Sequence, residues 1–482
     1  MPNNDLRFVI YDFETTGRNS NWDQIIQVGA ILVDTSFNEL DRIDIRSSLK
    51  PGLIPEPGAL LVNNTSPEML MKSNFTHYNM INEVMKKFKE WSPAVFIGYN
   101  SLQFDEEFLR KGLFKSLYEP YFTQLNGNKR ADILSMLRSA TSYYPKSFEY
   151  PFKNIINKED KIIDQNPILK LEVISDKNKI SHKAHDALGD VLVTNEFAKI
   201  LDQNANEIWL SGIQNSSKNE VIKNIKNELL FCYDEFFRGK SQPFLATHIC
   251  DHPVYKWAQC FDLVHDPQVY FNMSKNELSI AIKKSPKVVR SIKTNKNPII
   301  LNYKNYKKID RYNYLNEGIY IERAELIQKN EEFKSLLSAL LQEEHETKRD
   351  IESQEEMQAE ESLYKGGFFS KTDKNTMFQF HNAEWKDKLS ICDSFNDERL
   401  FYFGMRLIYE ESPSILPKDI YKNIHSSIAN QILSMNNEKW NTIPKACKES
   451  DDLKVKYEND YEKLEKLEKF DKLIDKIQNQ FQ

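Results

Sequence analysis

A short apolar run that leads directly into two acidic residues constrains the fold more than any other part of the sequence. The run FVIY at residues 8–11 is apolar and rich in β-forming side chains, which predicts a buried strand. Residues two apart on a strand share a face, so Asp12 and Glu14 project together while Phe13 enters the core. Two adjacent carboxylates repel unless a cation lies between them, and Mg²⁺ or Mn²⁺ prefers such oxygen ligands. The alternative is a strand end with solvated acids.

Two later segments carry further candidates for this site. Asp105 opens a predicted helix directly after a strand, where the helix dipole favours a carboxylate, although a simple helix cap explains it equally well. His185 precedes Asp190 by five residues at another predicted helix start. His182 is the rival histidine, ranked second because it stands eight residues before Asp190, and Asp186 is interpreted as structural.

The order of predicted elements suggests two or three domains in 482 residues. Strands interspersed with helices indicate an α/β domain that ends near Leu201. Short β-branched runs follow over about 206–342 and predict a smaller mixed or mostly β domain. The acidic block 343–361 is either a linker or an exposed helix, and 362–482 has a helical pattern. The strands are predicted at 25–33 and 95–99, and the helices from Asp105 and at 130–140 and 186–201.

The rest of the composition favours a globular cytosolic protein. Hydrophobic residues make up 40% of the chain, with no apolar run of transmembrane length and no signal peptide at the start. The five cysteines are scattered and form no C-x-x-C pair, which suits a reducing compartment. His248, Cys250 and His252 lie close together, but they are interpreted as structural rather than as a zinc site.

The net charge of −6 is unusual for a nucleic-acid binder, but the charge is unevenly distributed. The stretch 278–309 contains nine lysines and arginines and no acid, which makes it a candidate phosphate track. Tyr303 and Tyr306 within it are compatible with base stacking. The alternative is a solubilising face of a β domain.

Taken in order, the motifs D-x-E, N-x-x-x-F-D and H-x-x-x-x-D resemble those of the DEDD exonucleases of the histidine subclass, whose fold is ribonuclease H-like. The resemblance extends along the chain to the bacterial exodeoxyribonuclease I family. The supporting segments are LKPGLIPEPGALLVNNTSPE (49–68), YNSLQFDEEFLRKGLF (99–114), AHDALGDVLVTNEFAK (184–199) and LYKGGFFS (363–370). It implies an α/β multidomain protein with an exonuclease domain at 1–202, an SH3-like DNA-binding domain at 203–354 and a helical domain at 355–482.

The resemblance also implies an activity, namely processive 3′→5′ degradation of single-stranded DNA to 5′-mononucleotides in DNA repair and recombination. Asp12, Glu14 and Asp190 would hold two Mg²⁺ ions, with Mn²⁺ as a plausible substitute. Asp105 would complete the acidic cluster, and His185 would be the general base.

Several DNA contacts follow from the same resemblance. Glu14 and Lys170 would touch the terminal nucleotide, although the family commonly has arginine where Lys170 stands, and lysine lacks the bidentate fork. The remaining residues implied to contact the strand are Arg110, Tyr121, Arg138, Arg290, Asn295, Tyr364 and Phe368. The middle and C-terminal domains would close a ring around the strand. The expected partner is single-strand DNA-binding protein, through its acidic C-terminal tail, and the expected state is a monomer in the bacterial cytoplasm without membrane attachment.

Two alternatives stay open. A proofreading-type or RNA exonuclease of the same superfamily would share the chemistry, but the ~280 residues beyond the nuclease domain argue against it. A catalytically silent nucleic-acid binder would share the fold, but the motifs carry every acid and the histidine.

Overall fold

The computed structural model describes residues 6–157, 161–182, 184–351 and 357–482. Over these residues the protein contains a mixed sheet near the N-terminus, an antiparallel sheet in the middle and a helical C-terminal region.

The first sheet is built around the strand predicted from the FVIY run. Its strands are β1 (Phe8–Thr15), β2 (Ile25–Val33), β3 (Glu39–Arg46), β4 (Val95–Gly98) and β5 (Lys129–Asp132). They lie in the order β3-β2-β1-β4-β5, and β1 pairs antiparallel with β2 and parallel with β4. The helices and the hairpin of this region are α1 (Pro57–Val62), α2 (Pro67–Lys72), α3 (His77–Trp91), α4 (Asp105–Lys115), α5 (Ile133–Tyr143), β6 (Phe152–Ile156), β7 (Ile162–Pro167), α6 (Leu171–Lys177) and α7 (Ala187–Asn204). The predicted α/β domain is therefore confirmed.

Both faces of β1 are buried, which explains its apolar run. Phe8 and Ile10 pack on the side where Phe197 of α7 lies. Val9 and Tyr11 pack on the other side. This alternation places Asp12 and Glu14 on the α7 side of the sheet.

The helix predicted at 130–140 is partly wrong. Lys129–Asp132 forms β5, and the helix begins only at Ile133. The residues KRAD have little intrinsic preference for a strand, but pairing with β4 supplies their backbone hydrogen bonds, with Ala131 opposite Ile97. The Asp132 side chain then caps α5 by accepting from Ser135 N–H at 3.3 Å.

The middle region is mixed, as predicted. Its helices and strands are α8 (Asn206–Gln214), α9 (Lys218–Asn227), β8 (Phe231–Phe237), β9 (Lys240–Asp251), β10 (Ala258–Asp262), α10 (Gln268–Phe271), α11 (Lys275–Lys283), β11 (Val289–Ile292), β12 (Ile300–Asn302), α12 (Glu317–Lys329) and α13 (Glu331–Ile351). The sheet order is β11-β10-β9-β8-β12, and each neighbouring pair is antiparallel. The acidic block continues α13 as far as Ile351, while 352–356 lies outside the described residues.

The C-terminal region is helical, which confirms the prediction. Its helices are α14 (Lys371–Asn382), α15 (Trp385–Cys392), α16 (Glu398–Glu411), α17 (Lys418–Leu433), α18 (Ile443–Lys456) and α19 (Tyr461–Phe481). These helices share one apolar core with the N-terminal α/β domain, because Phe114 and Leu117 belong to the same cluster as Phe403 and Phe481.

Two predictions from composition can be compared with the described residues. All five cysteines are free thiols, as expected. Among the helices in the described part of the chain, none has the length and apolar character needed to cross a membrane.

Candidate active site

Strand β1 positions the first two carboxylates. Asp12 and Glu14 are both partly buried, while their neighbours Tyr11 and Phe13 point into the core on the opposite face. The predicted projection of the two acids from one face is thus present.

A glycine brings the third carboxylate to them. Gly29 on β2 lies opposite Asp12, and a Cβ atom at Gly29 would be only 2.4 Å from the backbone nitrogen of Leu188 in α7. Helix α7 therefore packs directly on the strand backbone. The Gln27 side chain accepts from Ala187 N–H at 3.3 Å and fixes the start of the helix. Asp190, in the first turn of α7, consequently faces β1.

The three carboxylates form a cluster suited to a cation. One oxygen each of Asp12, Glu14 and Asp190 lie within 4.8 Å of one another. Burial, then Asp105, Asp190 and Glu14, raise the pKa of Asp12 well above its ordinary value. Burial and the neighbouring acids raise the pKa of Glu14 to about 8. A divalent cation would remove this repulsion, so the donor set fits Mg²⁺ or Mn²⁺.

Asp105 has a different position from the other acids. It is the first residue of α4, is 3% exposed, and accepts from Phe13 N–H at 3.1 Å. It therefore ties α4 to the strand that carries Asp12 and Glu14. Its charge also contributes to the raised pKa of both carboxyls.

The two histidines are placed differently from the sequence ranking. Nε2 of His182 is hydrogen-bonded to Oδ1 of Asp190, and its Nδ1 lies 3.0 Å from Oγ of Ser175. His185 is exposed and has a left-handed backbone with φ of 60°. Burial raises the pKa of Asp190, and the charges of both His182 and His185 oppose that rise. Both histidines therefore lie near this carboxylate, but among the described residues it is His182 that hydrogen-bonds to it. The role of general base for His185 stays a prediction.

Four of the predicted DNA-contact residues come together beside α4, and we call them the Arg110 cluster: Arg110, Tyr121, Tyr364 and Phe368. The guanidinium of Arg110 lies 5.5 Å from the ring centre of Tyr121 and donates to Tyr364 Oη at 3.3 Å. The rings of Tyr121 and Phe368 are 5.9 Å apart, and Phe368 is 87% exposed. Residues from both the N-terminal and C-terminal regions therefore build one aromatic surface. Arg110 lies beneath it, 8% exposed, and pairs with Glu106 at 3.5 Å and Glu107 at 3.3 Å.

Comparison with known proteins gives the family. A family model described as "Exonuclease" matches residues 9–197, and one described as "Exonuclease I C-terminal domain" matches residues 357–477. The chain belongs to the exodeoxyribonuclease I family.

Relatives of the exodeoxyribonuclease I family match at low identity. The enzyme of Buchnera aphidicola subsp. Schizaphis graminum is 29% identical over 47% of this chain and 46% of its own length. That of Buchnera aphidicola subsp. Acyrthosiphon pisum is 26% identical over 82% of this chain and 94% of its own length. The Escherichia coli enzyme is 27% identical over 40% of this chain and 39% of its own length.

Solved exonuclease I structures have the same fold. The Methylocaldum szegediense structure is 19% identical, with a TM-score of 0.80 over 98% of this chain and 100% of that one. The Escherichia coli structure with a dA16 oligonucleotide is also 19% identical, with a TM-score of 0.79 over 98% and 99% of the two chains. The expected ribonuclease H-like exonuclease domain and helical C-terminal domain are confirmed.

The other predicted DNA contacts of this exonuclease I family member do not belong to the Arg110 cluster, although one of them lies near it. The carbonyl of Asn295 accepts from Arg130, which pairs with Glu106 beside Arg110. Lys170 and Asn295 are exposed, and Lys170 lies 3.8 Å from a carboxylate oxygen of Glu172. The Arg138 guanidinium lies over the ring of Phe236 at 3.8 Å. Contact of Lys170, Asn295 and Arg138 with DNA stays a prediction.

Arg290 is held inside the protein. It is 9% exposed, pairs with Glu235 at 2.5 Å and stacks on Phe244 at 3.2 Å. Elsewhere in the basic stretch, Lys296 donates to the carbonyl of Leu102 at 2.9 Å. Part of the predicted phosphate track therefore joins protein elements together.

Sequence reasoning missed a buried network under the Arg110 cluster. Glu106 is fully buried and accepts from Tyr11 Oη at 2.9 Å, Thr123 Oγ1 at 3.0 Å and Arg130 at 3.0 Å. It also lies 3.5 Å from Arg110. No local motif signals these contacts, because they join residues far apart in the chain.

Proposed function

We propose that the chain is an exodeoxyribonuclease that removes nucleotides from the 3′ end of single-stranded DNA and releases 5′-mononucleotides. The supporting observation is the cluster of Asp12, Glu14 and Asp190 on a domain of the exonuclease family.

The roles of the residues follow from their chemistry. Asp12, Glu14 and Asp190 would hold Mg²⁺, or Mn²⁺ as a substitute. A bound divalent ion supplies an activated water and neutralises charge that develops on the phosphate. Asp105 fixes α4 to β1 and so keeps the acids in register. His185 accepts a proton from the attacking water, and its exposed position leaves it accessible to substrate.

The Arg110 cluster binds the single strand. Arginine pairs with phosphate, and exposed aromatic rings stack on unpaired bases. A duplex keeps its bases stacked inside, which makes the cluster selective for single strands. Many contacts of this kind hold the strand through successive cuts and make the enzyme processive.

The partners and setting belong to the same proposal. One solved relative is a crystal structure of SSB/Exonuclease I in complex with inhibitor CFAM. We assign single-strand DNA-binding protein as partner here, through its acidic C-terminal tail, with the enzyme acting as a monomer in the bacterial cytoplasm.

The test is a time course on a DNA single strand labelled at its 5′ end. Wild-type protein with Mg²⁺ should shorten it progressively from the 3′ end, and EDTA should stop the reaction. Asp12→Asn should lower the rate at least about a hundredfold, because loss of a ligand exceeds the effect typical of outer contacts. Asp452→Asn, at an exposed position in α18, is the matched control and should keep the wild-type rate.

Two results would contradict the proposal. Ordinary turnover by Asp12→Asn would remove the metal cluster from the reaction. Faster degradation of a matched RNA strand than of DNA would favour the RNA exonuclease alternative.

A further inference from the structure

A polar cavity of about 110 Å³ lies between the nuclease domain and the C-terminal helices. Its walls come from segments 21–25 and 50–54 and from helices α4, α16 and α17. The residues assigned to metal and DNA lie outside these walls. Because one water needs only about 10–15 Å³ of such space, the cavity has room for several waters or one small polar molecule.

Several residues that line this cavity carry buried polar atoms without hydrogen-bond partners among the described residues. Three of these atoms are Nδ1 of His77, Nε1 of Trp22 and Oδ1 of Asn21. His77 is only 4% exposed. Buried polar atoms are normally paired, so this group of unpaired atoms points to a missing hydrogen-bonding occupant.

Two cations on the walls have no ion-pair partner among the described residues. The Lys115 ammonium donates only to the backbone carbonyls of Ser20 at 3.4 Å and Asn21 at 3.0 Å. Arg406 makes no hydrogen bond or ion pair with the part of the chain that the structure describes. Five guanidinium N–H donors are therefore available on Arg406.

The acids on the walls have partners within the protein. Oε2 of Glu410 lies 3.5 Å from the Lys50 ammonium in an ion pair, although it accepts no hydrogen bond from the described residues. Glu360 accepts from Tyr402 Oη at 2.9 Å. Asp23 accepts from a backbone N–H at 2.8 Å and from a threonine hydroxyl at 3.1 Å. These acids do not pair with Lys115 or Arg406, so both cations are available to bind an anionic ligand.

The electrostatics of Lys115 agree with this arrangement. Burial, and after it the charge of the nearby Lys50, lower the pKa of Lys115 to about 7. A bound anion would stabilise the protonated ammonium and so compensate for burial.

We propose that this cavity binds a small phosphate-type oxyanion, with Lys115 and Arg406 as its charged ligands. Arginine suits this ligand because its planar fork pairs with two phosphate oxygens. The phosphate oxygens also accept from Trp22 Nε1–H, and the O–H of hydrogen phosphate donates to Asn21 Oδ1. Either free phosphate or the phosphate of a 5′-mononucleotide supplies this chemistry.

The test measures binding of potassium phosphate to the full-length protein without DNA and with EDTA. Isothermal titration calorimetry and thermal unfolding are run against potassium chloride at equal ionic strength. Wild type should show saturable binding and a saturable rise in Tm. Arg406→Gln should weaken binding at least tenfold. Lys422→Gln removes one charge at an exposed position on α17 and should bind like wild type.

A milder variant distinguishes loss of phosphate binding from misfolding of the protein. Trp22→Phe keeps an aromatic ring but removes the N–H donor, so its affinity should fall several-fold while the Tm without phosphate stays near that of wild type. In a second set of titrations, thymidine 5′-monophosphate and thymidine replace phosphate. Tighter binding of the nucleotide than of phosphate identifies a phosphate monoester as the ligand, and thymidine alone should not bind.

The proposal is overturned by either of two outcomes. One is the absence of saturable binding by both phosphate and the nucleotide, which would mean that water fills the cavity. The other is equal affinity in wild type, Arg406→Gln and Trp22→Phe, which would place the anion elsewhere.

Discussion

Among single residues, Asp190 makes a hydrogen bond that assigns different roles to His182 and His185. One of its oxygens is hydrogen-bonded to His182, whose other ring nitrogen lies 3.0 Å from Ser175. This leaves the second oxygen of Asp190 for a cation. A histidine that orients a metal ligand affects affinity for the ion, whereas a general base affects the rate at saturating ion.

We therefore expect His182→Ala to change metal affinity and His185→Ala to change the rate of cleavage. His182→Ala should weaken Mn²⁺ binding about 10–100-fold, the range typical of outer contacts, and excess metal should restore much of the rate. His185→Ala should leave Mn²⁺ affinity unchanged and lower kcat. Calorimetric titration and single-turnover cleavage measure the two quantities. Equal losses of metal affinity in both variants would contradict this division of roles.

Local signals predicted where side chains lie, while their roles stay predictions. Asp12 and Glu14 share a face because side chains alternate along a strand, and Asp190 lies in the first turn of the helix expected at the third motif. His182 was ranked second because it stands eight residues before Asp190, not five. Its hydrogen bond to Asp190 depends on the path of the loop before α7, which spacing does not reveal. The predicted contact of Arg290 with DNA stays a prediction. Its ion pairs with Asp262 and Glu235 could not be predicted from local spacing, because these acids lie 28 and 55 positions away (290 minus 262, and 290 minus 235).

At the scale of elements, the packing of α7 on β2 determines where Asp190 lies. Gly29 leaves no room for a side chain, since a Cβ there would be 2.4–2.5 Å from backbone atoms of α7. Backbone atoms cannot rotate away as a flexible side chain can. Any added atom must move the helix.

Gly29→Ala should therefore affect stability and metal binding together. We expect a loss of about 1–3 kcal/mol in the free energy of unfolding, as for overpacked cores, and weaker Mn²⁺ binding because Asp190 shifts. Urea unfolding and calorimetry measure the two effects. Gly318→Ala, where a Cβ meets nothing within 4 Å, is the control. Unchanged metal affinity in a destabilised Gly29→Ala would show that the helix position does not govern the cluster.

Elements with a strong apolar pattern were also predicted well. Ile25–Val33 was correct because a largely apolar run, broken only by Gln27, suits a strand buried on both sides. Residues 130–132 were predicted as helix, whereas they belong to β5, because the strand character of this segment comes only from pairing with β4. Local preference contains no information about that neighbour.

At the scale of the whole molecule, His381 joins the C-terminal helices to the nuclease domain. Its Nε2 donates to the carbonyl of Leu117 at 2.9 Å, its Nδ1 accepts from Tyr78 Oη at 3.0 Å, and its ring stacks on Tyr118. Burial lowers the pKa of His381 to about 4. The unfolded chain takes up this proton below about pH 6.5, whereas the folded protein does so only near pH 4.

Stability should consequently fall as the pH drops from 6.5 to 4, because the unfolded state binds the proton first. The contribution of this group is at most about 3 kcal/mol. His381→Gln should be less stable than wild type at pH 7.5, and the difference should shrink by pH 4.5. Urea unfolding at both pH values measures it, with His345→Gln on α13 as control. A difference that stays constant with pH would contradict the role of His381.

The apolar core shared by the first and last helices has a consequence for synthesis. Phe481 packs beside Gly52, where a Cβ would lie 3.4 Å from its ring, so the contact joins positions 429 apart (481 minus 52). At a ribosomal rate of about 5–20 residues per second, residue 481 is made roughly 20–90 s after residue 52. During that interval Phe114 lacks the ring of Phe403 until α16 has been made, and the core that also holds Leu117 is completed only with α19. The nascent nuclease domain must wait with part of its apolar surface in water, and it reaches its final shape only when α19 has left the exit tunnel.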